Sequence, residues 1–247
     1  MTSNADHAPT DGRPTDRRPT VLVTGFEPFD GAHHNPSGEL ARRLAELGHP
    51  DCQLVGEVLP VSFARAPGLL AAAIDAHHPD VVIMLGLAEN RHAITPERVA
   101  VNLADARIPD NDGDQPTDAE LEPHGPAARF ARLPVKPIAL AIANAGLPAE
   151  VSLSAGSYVC NAVMYAALGI AEQRERAQRD RAQREDGASG RPGAETGLGA
   201  FVNTSPLQAG FIHVPATPQL GGDPRFTLDE LERGIRIAIT TILDLRA

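Results

Sequence analysis

The chain has 247 residues, 42% of them hydrophobic and 22% charged, with a formal net charge of -10. That is enough apolar material for the core of one ordinary domain, but no apolar run approaches the roughly 20 residues of a membrane-spanning helix. The acidity argues against a nucleic-acid partner, because phosphate recognition rests on clustered lysine and arginine.

Residues 1–19 are rich in Pro, Asp, Arg and Thr and lack any structural period, so they read as a disordered arm preceding a single domain at 20–247. The arm has no apolar core of the kind found in a secretory signal or membrane anchor, and a cytoplasmic location is the expectation. VLVTGF is a short apolar strand, PSGELARRLAEL has helical spacing with Pro36 early in the helix, and CQLVGEVLPV reads as a second strand. FARAPGLLAAAIDAHH is a helix and DVVIMLGL a strand covered on both faces. TPERVAVNLAD is strand-like and is followed by the turn-rich loop ARIPDNDGDQP.

A helix around PVKPIALAIANAG leads to AEVSLSAG, which reads as a buried strand turning through Ala155-Gly156 into an amphipathic helix that carries Cys160. Beyond Ile170 the apolar stripe fades. AEQRERAQRDRAQRED reads as a solvated helix extension within a flexible insert at about 171–208, ending in a Gly-rich linker. AGFIHVP re-enters the core and TLDELERGIRIAITTILDL closes the chain as an amphipathic helix. Alternating strands and helices predict an α/β fold with a mostly parallel sheet, whose catalytic groups gather beyond the carboxyl ends of the strands.

Cys160 is the residue of chemical interest. At a helix N-terminus, free N–H groups and the helix dipole favour a thiolate, which predicts a lowered thiol pKa. His213 in AGFIHVP is a candidate base and Glu97 in ITPERVAVN a candidate group to orient it. Each has a plainer reading: an inert buried thiol, a core histidine, a surface glutamate paired with Arg98. Cys52 lies in a differently patterned segment, and both cysteines are expected as free thiols. No histidine or cysteine cluster has metal-ligand spacing, and no cofactor is expected. Composition and spacing alone reach a thiol-dependent acyl-transfer enzyme.

Taken together, TGFEPFDGAHHNPS, ITPERVAVNLADARIPDNDGDQP, SAGSYVCN and GFIHVP resemble the pyroglutamyl peptidase I family, also called pyrrolidone carboxyl peptidases. The resemblance covers roughly residues 21–168 and 209–246. It implies a three-layer α/β/α sandwich, commonly a homotetramer, and peptides bearing an N-terminal pyroglutamyl group as substrates. Cys160, His213 and Glu97 match the family's catalytic positions. Phe26, Phe29 and Tyr158, the last in place of a common phenylalanine, match the apolar pocket. Asn35 lies near that pocket, and Arg107 corresponds to an arginine by the oxyanion region. One departure stands out: the family usually reads GQAGGR where this chain has GLAENR, so that Leu87 would remove a polar contact to the lactam. Two rival readings are a nucleoside phosphorylase-like transferase of similar architecture and a binding protein that has lost turnover.

Overall fold

The apolar runs form the centre of a sheet in the computed structural model, which describes residues 17–188 and 206–246. Strands β1 (Thr20–Phe26) and β3 (Val81–Leu87) are buried at every position, and β7 (Gln208–Val214) at all but its first. Such continuous burial is what helices on both faces produce. β2 (Gln53–Leu59), at the edge, is mostly only half-buried. The order is β2-β1-β3-β7-β4; the first four strands are parallel, and the short β4 (Thr95–Pro96) runs antiparallel to β7. A separate antiparallel ribbon pairs β5 (Val99–Val101) with β6 (Ala128–Phe130).

Side chains alternate across the sheet with a period of two. Val21, Val23, Ile83, Leu85, Ile212 and Val214 meet one apolar layer. That layer belongs to helices α1 (Pro36–Leu47), α3 (Val135–Asn144) and α5 (Leu228–Asp244). Leu22, Val82, Met84, Ala209 and Phe211 meet the other layer, formed with α2 (Ala66–His77) and α4 (Val159–Ala188). This is the three-layer α/β/α arrangement expected from the sequence. The chain leaves β1 for β2 on one side and returns to β3 on the other, so the sheet reverses direction between β1 and β3. Ligand crevices in open parallel sheets form at the carboxyl ends beside such a reversal.

One expectation needs correction. AEVSLSAG is not a strand: it touches its neighbour only through single parallel bridges, Ile94 with Ala149 and Glu97 with Ser152. Its serines satisfy their own backbone instead, Ser152 Oγ accepting from Ser154 N at 3.3 Å and Ser154 Oγ from Gly156 N at 3.1 Å. These local bonds compete with a ladder. Within the insert, α4 runs on to Ala188, through the stretch read as a solvated helix extension. Glu175 is clamped by Arg132 at 2.7 Å, and Arg174 reaches Asp75 of α2 at 2.9 Å, so charged residues hold the extension where the apolar stripe has ended. At the other end, Arg17 is tied to Asp80 at 2.9 Å. The expected disorder at 1–16 and the linker at 189–205 lie outside the described residues.

Candidate active site

His213 is placed by the alternation of β7. Together with Ala209 and Phe211 it points to the α4 side of the sheet, and it is 5% exposed. Its Nδ1–H donates to Glu97 Oε1 at 2.7 Å. Glu97 is fully buried between β4 and β5, its backbone N–H held by Phe211 O at 2.8 Å. The reading in which Glu97 is a surface residue paired with Arg98 does not hold. Its partner is Arg91, from the loop after β3, whose guanidinium donates to the same Oε1 at 2.5 Å. Arg91 also bonds Thr95 Oγ1 and, at 3.0 Å, the carbonyl of Ser154. The other carboxylate oxygen, Oε2, has no hydrogen-bond partner among the described residues.

Cys160 is the second residue of α4. The chain reaches it through Gly156, whose φ of 82° is one that an L side chain rarely adopts. Its sulfur rests on β3 at Gly86, where an added methyl group would lie 2.9 Å from Sγ and 2.6 Å from the Phe211 ring. Gly86 is the strand partner of His213, and adjacent strands are about 4.8 Å apart. Thiol and imidazole therefore occupy neighbouring positions on one face of the sheet. Asn161 secures the start of α4: it is fully buried, accepts from Val101 N at 2.9 Å, and donates to Val101 O and Leu103 O at 2.9 and 3.0 Å.

The electrostatics differ from the lowered thiol pKa that a helix N-terminus suggests. Burial pushes the Cys160 thiol up to about 12, with the Glu97 carboxylate acting in the same direction; its own backbone N–H and Arg91 oppose them without prevailing. Burial also lowers the His213 pKa, against the pull of Glu97. Both shifts favour the uncharged forms, a neutral thiol and a neutral imidazole, from which the nucleophile is made by proton transfer. Cys52 is buried in the core layer on the opposite face, where burial pushes its thiol up to about 11.

The remaining expected site residues separate. Phe29 and Tyr158 face each other at 6.3 Å, and Phe63, which carried no signal in the sequence, meets Tyr158 edge-on at 5.4 Å. The Tyr158 hydroxyl donates to Pro109 O at 3.0 Å. Phe26 is 3% exposed and packs against Phe211, beneath the site more than in its opening. Asn35 has its amide committed elsewhere: Oδ1 caps α1 through Ser37 N at 3.1 Å, and Nδ2 donates to Glu27 O at 2.9 Å. It shapes the 27–35 loop. Arg107 is exposed, with its carbonyl accepting from Gln115 at 3.1 Å; the arginine joined to Glu97 is Arg91. Leu87 shares the alternation of Val81, Ile83 and Leu85, which places it on the face away from Cys160.

A neutral thiol beside an imidazole held by a buried carboxylate is equipped for acyl transfer, which puts the chain among cysteine-type hydrolases on an α/β/α frame. Residues 19–181 match the family model described as pyroglutamyl peptidase. The pyrrolidone-carboxylate peptidase of Bacillus subtilis is 42% identical over 90% of this chain and 91% of its own, and that of Escherichia fergusonii 40% over 91% and 92%. Among solved structures, pyroglutamyl peptidase I from Bacillus amyloliquefaciens aligns with a TM-score of 0.73 at 35% identity, covering 92% of this chain and 97% of that one. The pyrrolidone carboxyl peptidase of Thermococcus litoralis gives 0.72 at 36% identity, covering 92% and 94%. The chain belongs to the pyroglutamyl peptidase family.

Proposed function

We propose that this protein is a cysteine exopeptidase that hydrolyses the amide bond after an N-terminal pyroglutamyl residue, with Cys160 as nucleophile, His213 as general base and acid, and Glu97 as the group that orients the imidazole. The observation that carries the reading is the 2.7 Å bond from His213 Nδ1 to a fully buried Glu97, made one strand away from the Cys160 sulfur. Fixing the Nδ1 proton leaves Nε2 free to take the thiol proton. Sγ then attacks the pyroglutamyl carbonyl carbon, and the oxyanion is received by N–H groups in the first turn of α4. His213 returns the proton to the leaving amine as the C–N bond breaks, giving a thioester. Water, deprotonated by His213, releases pyroglutamic acid and restores the thiol. Phe29, Phe63 and Tyr158 supply the apolar flank suited to a flat, uncharged lactam.

A homo-oligomer, a tetramer by family resemblance, and a cytoplasmic location complete the proposal. No helix among the described residues is long and apolar enough to cross a membrane. Neither the transferase reading nor the binding-protein reading gains support from the comparisons. The direct test compares chromogenic pyroglutamyl and prolyl amides, which share the ring but differ in the lactam carbonyl. Turnover of the pyroglutamyl compound with little of the prolyl one is the expected result; equal turnover, or none of either, contradicts the substrate class.

The protonation states yield a pH prediction. The base must be neutral, and the His213 pKa lies below its ordinary 6.5, so the acid limb of kcat/KM should have its midpoint below 6.5. The thiol, pushed up to about 12, should react with iodoacetamide at a rate that climbs through the alkaline range. Alkylation at a constant rate from pH 5 upward would instead show a preformed thiolate–imidazolium pair.

A further inference from the structure

Glu97 receives two donors on one oxygen, and the second of them belongs to no residue assigned a role above. Burying a carboxylate at full depth is costly unless it is paired, and Oε2 contributes nothing to that pairing among the described residues. Arg91 makes the pair, and its other terminal nitrogen reaches Ser154 O, in the turn that leads through Gly156 to Cys160. One guanidinium thus spans the group that orients the base and the segment that delivers the nucleophile. Its planar fork suits two fixed acceptors, which a single ammonium cannot satisfy together.

We propose that Arg91 is a positioning residue of this reaction: it fixes the Glu97 carboxylate toward His213 and holds the Ser154–Gly156 turn that sets Cys160 against Gly86. The proposal rests on the assignment of Glu97, His213 and Cys160 given above. Arg91 is only partly buried, its side chain 27% exposed, so its charge is available at the mouth of the site without being lost to solvent. The charged and titratable groups that face His213 are Glu97 from the β4–β5 link, Arg91 from the loop after β3 and Cys160 from α4. Of these, Arg91 opposes protonation of the imidazole and Glu97 favours it.

The test uses Arg91→Gln and Arg91→Lys, with Arg98→Gln as the control for loss of a neighbouring positive charge. Activity of the wild-type protein on a pyroglutamyl amide, and its loss in Cys160→Ala, are measured first; failure there refutes the underlying assignment and not the role of Arg91. Arg91→Gln should lower kcat by about 10- to 100-fold, the usual consequence of a small misplacement of reacting groups. It should also move the acid limb of kcat/KM upward by about half to one pH unit, because the cation opposing the imidazolium is gone. Arg91→Lys should keep the limb near its wild-type position and fall between the two in kcat, since it holds the charge but not both contacts. Arg98→Gln should match the wild type in both measures. A lowered kcat with an unmoved limb in Arg91→Gln, wild-type kinetics in that variant, or the same limb shift in Arg98→Gln would overturn the proposal.

Discussion

Cys160→Ala and Cys160→Ser should each lose turnover by a factor on the order of 10⁴ or more while keeping the fold, because removing the nucleophile of a covalent mechanism leaves only the binding groups. The serine variant is informative in its own right. A hydroxyl in this setting faces the same neutral imidazole, but it is a far poorer nucleophile than a thiol without strong activation. Cys52→Ser should separate the two cysteines. Cys52 is 2% exposed among apolar residues on the other face of the sheet, so a hydroxyl placed there costs about 1–3 kcal/mol of stability and leaves kcat near wild type. Circular dichroism and urea unfolding on all three variants make the check. Equal loss of turnover at both positions, with the fold intact, would remove Cys160 from its role.

The second large effect is expected at a residue without a side chain. A methyl group at Gly86 would lie 2.6 Å and 2.8 Å from atoms of the Phe211 ring and 2.9 Å from Cys160 Sγ, all closer than real side-chain carbons approach their neighbours. Phe211 cannot retreat, being fully buried beneath the site, so the sulfur or the strand must move. Overpacking of this kind costs about 1–3 kcal/mol, and displacing a nucleophile by roughly 1 Å costs on the order of 100-fold in rate. Gly86→Ala should therefore lose both stability and kcat. Gly68→Ala on α2 is the contrast: nothing lies within 4 Å of the added carbon, and an alanine in a helix should add about 0.5–1 kcal/mol at unchanged activity. Activity near wild type in Gly86→Ala would mean that the thiol does not depend on this close approach.

Much of the frame is readable from residue order. PSGELARRLAEL announces its helix by apolar spacing and an early proline, and α1 runs from Pro36 to Leu47 with Asn35 as its cap. DVVIMLGL announces a strand covered on both sides because its apolar run is unbroken, and β3 is buried throughout. The strand pattern fails at AEVSLSAG, where serine hydroxyls close local turns that the same pattern cannot distinguish from a ladder. The fading stripe after Ile170 marks where the helix leaves the core, but not its end. Helix-forming residues and ion pairs such as that of Glu175 with Arg132 carry α4 onward.

For the site, the residue types and their motifs point to Cys160, His213 and Glu97, and two of these are in hydrogen-bond contact. What the sequence could not convey is the desolvation of the thiol. A helix N-terminus predicts a lowered pKa only if the sulfur stays solvated, and here the half-buried Cys160 sets its sulfur against Gly86, desolvated and with a carboxylate nearby. Arg91 carries a faint signal as the cation of GLAENR, six residues before Glu97. Adjacent Arg98 is the natural partner by position in the chain, but extended backbone turns successive side chains to opposite faces and separates the two.

The central claim is that pyroglutamyl turnover passes through the Cys160 sulfur, and graded alkylation of the wild-type enzyme tests it most directly. Iodoacetamide is added in limiting steps, residual activity on a pyroglutamyl amide is recorded, and occupancy at Cys160 and Cys52 is read by peptide mass spectrometry. Activity should fall in proportion to the fraction of Cys160 modified, reach zero when that site is full, and be spared when pyroglutamic acid occupies the pocket. Full turnover by a protein whose Cys160 is completely alkylated would contradict the account.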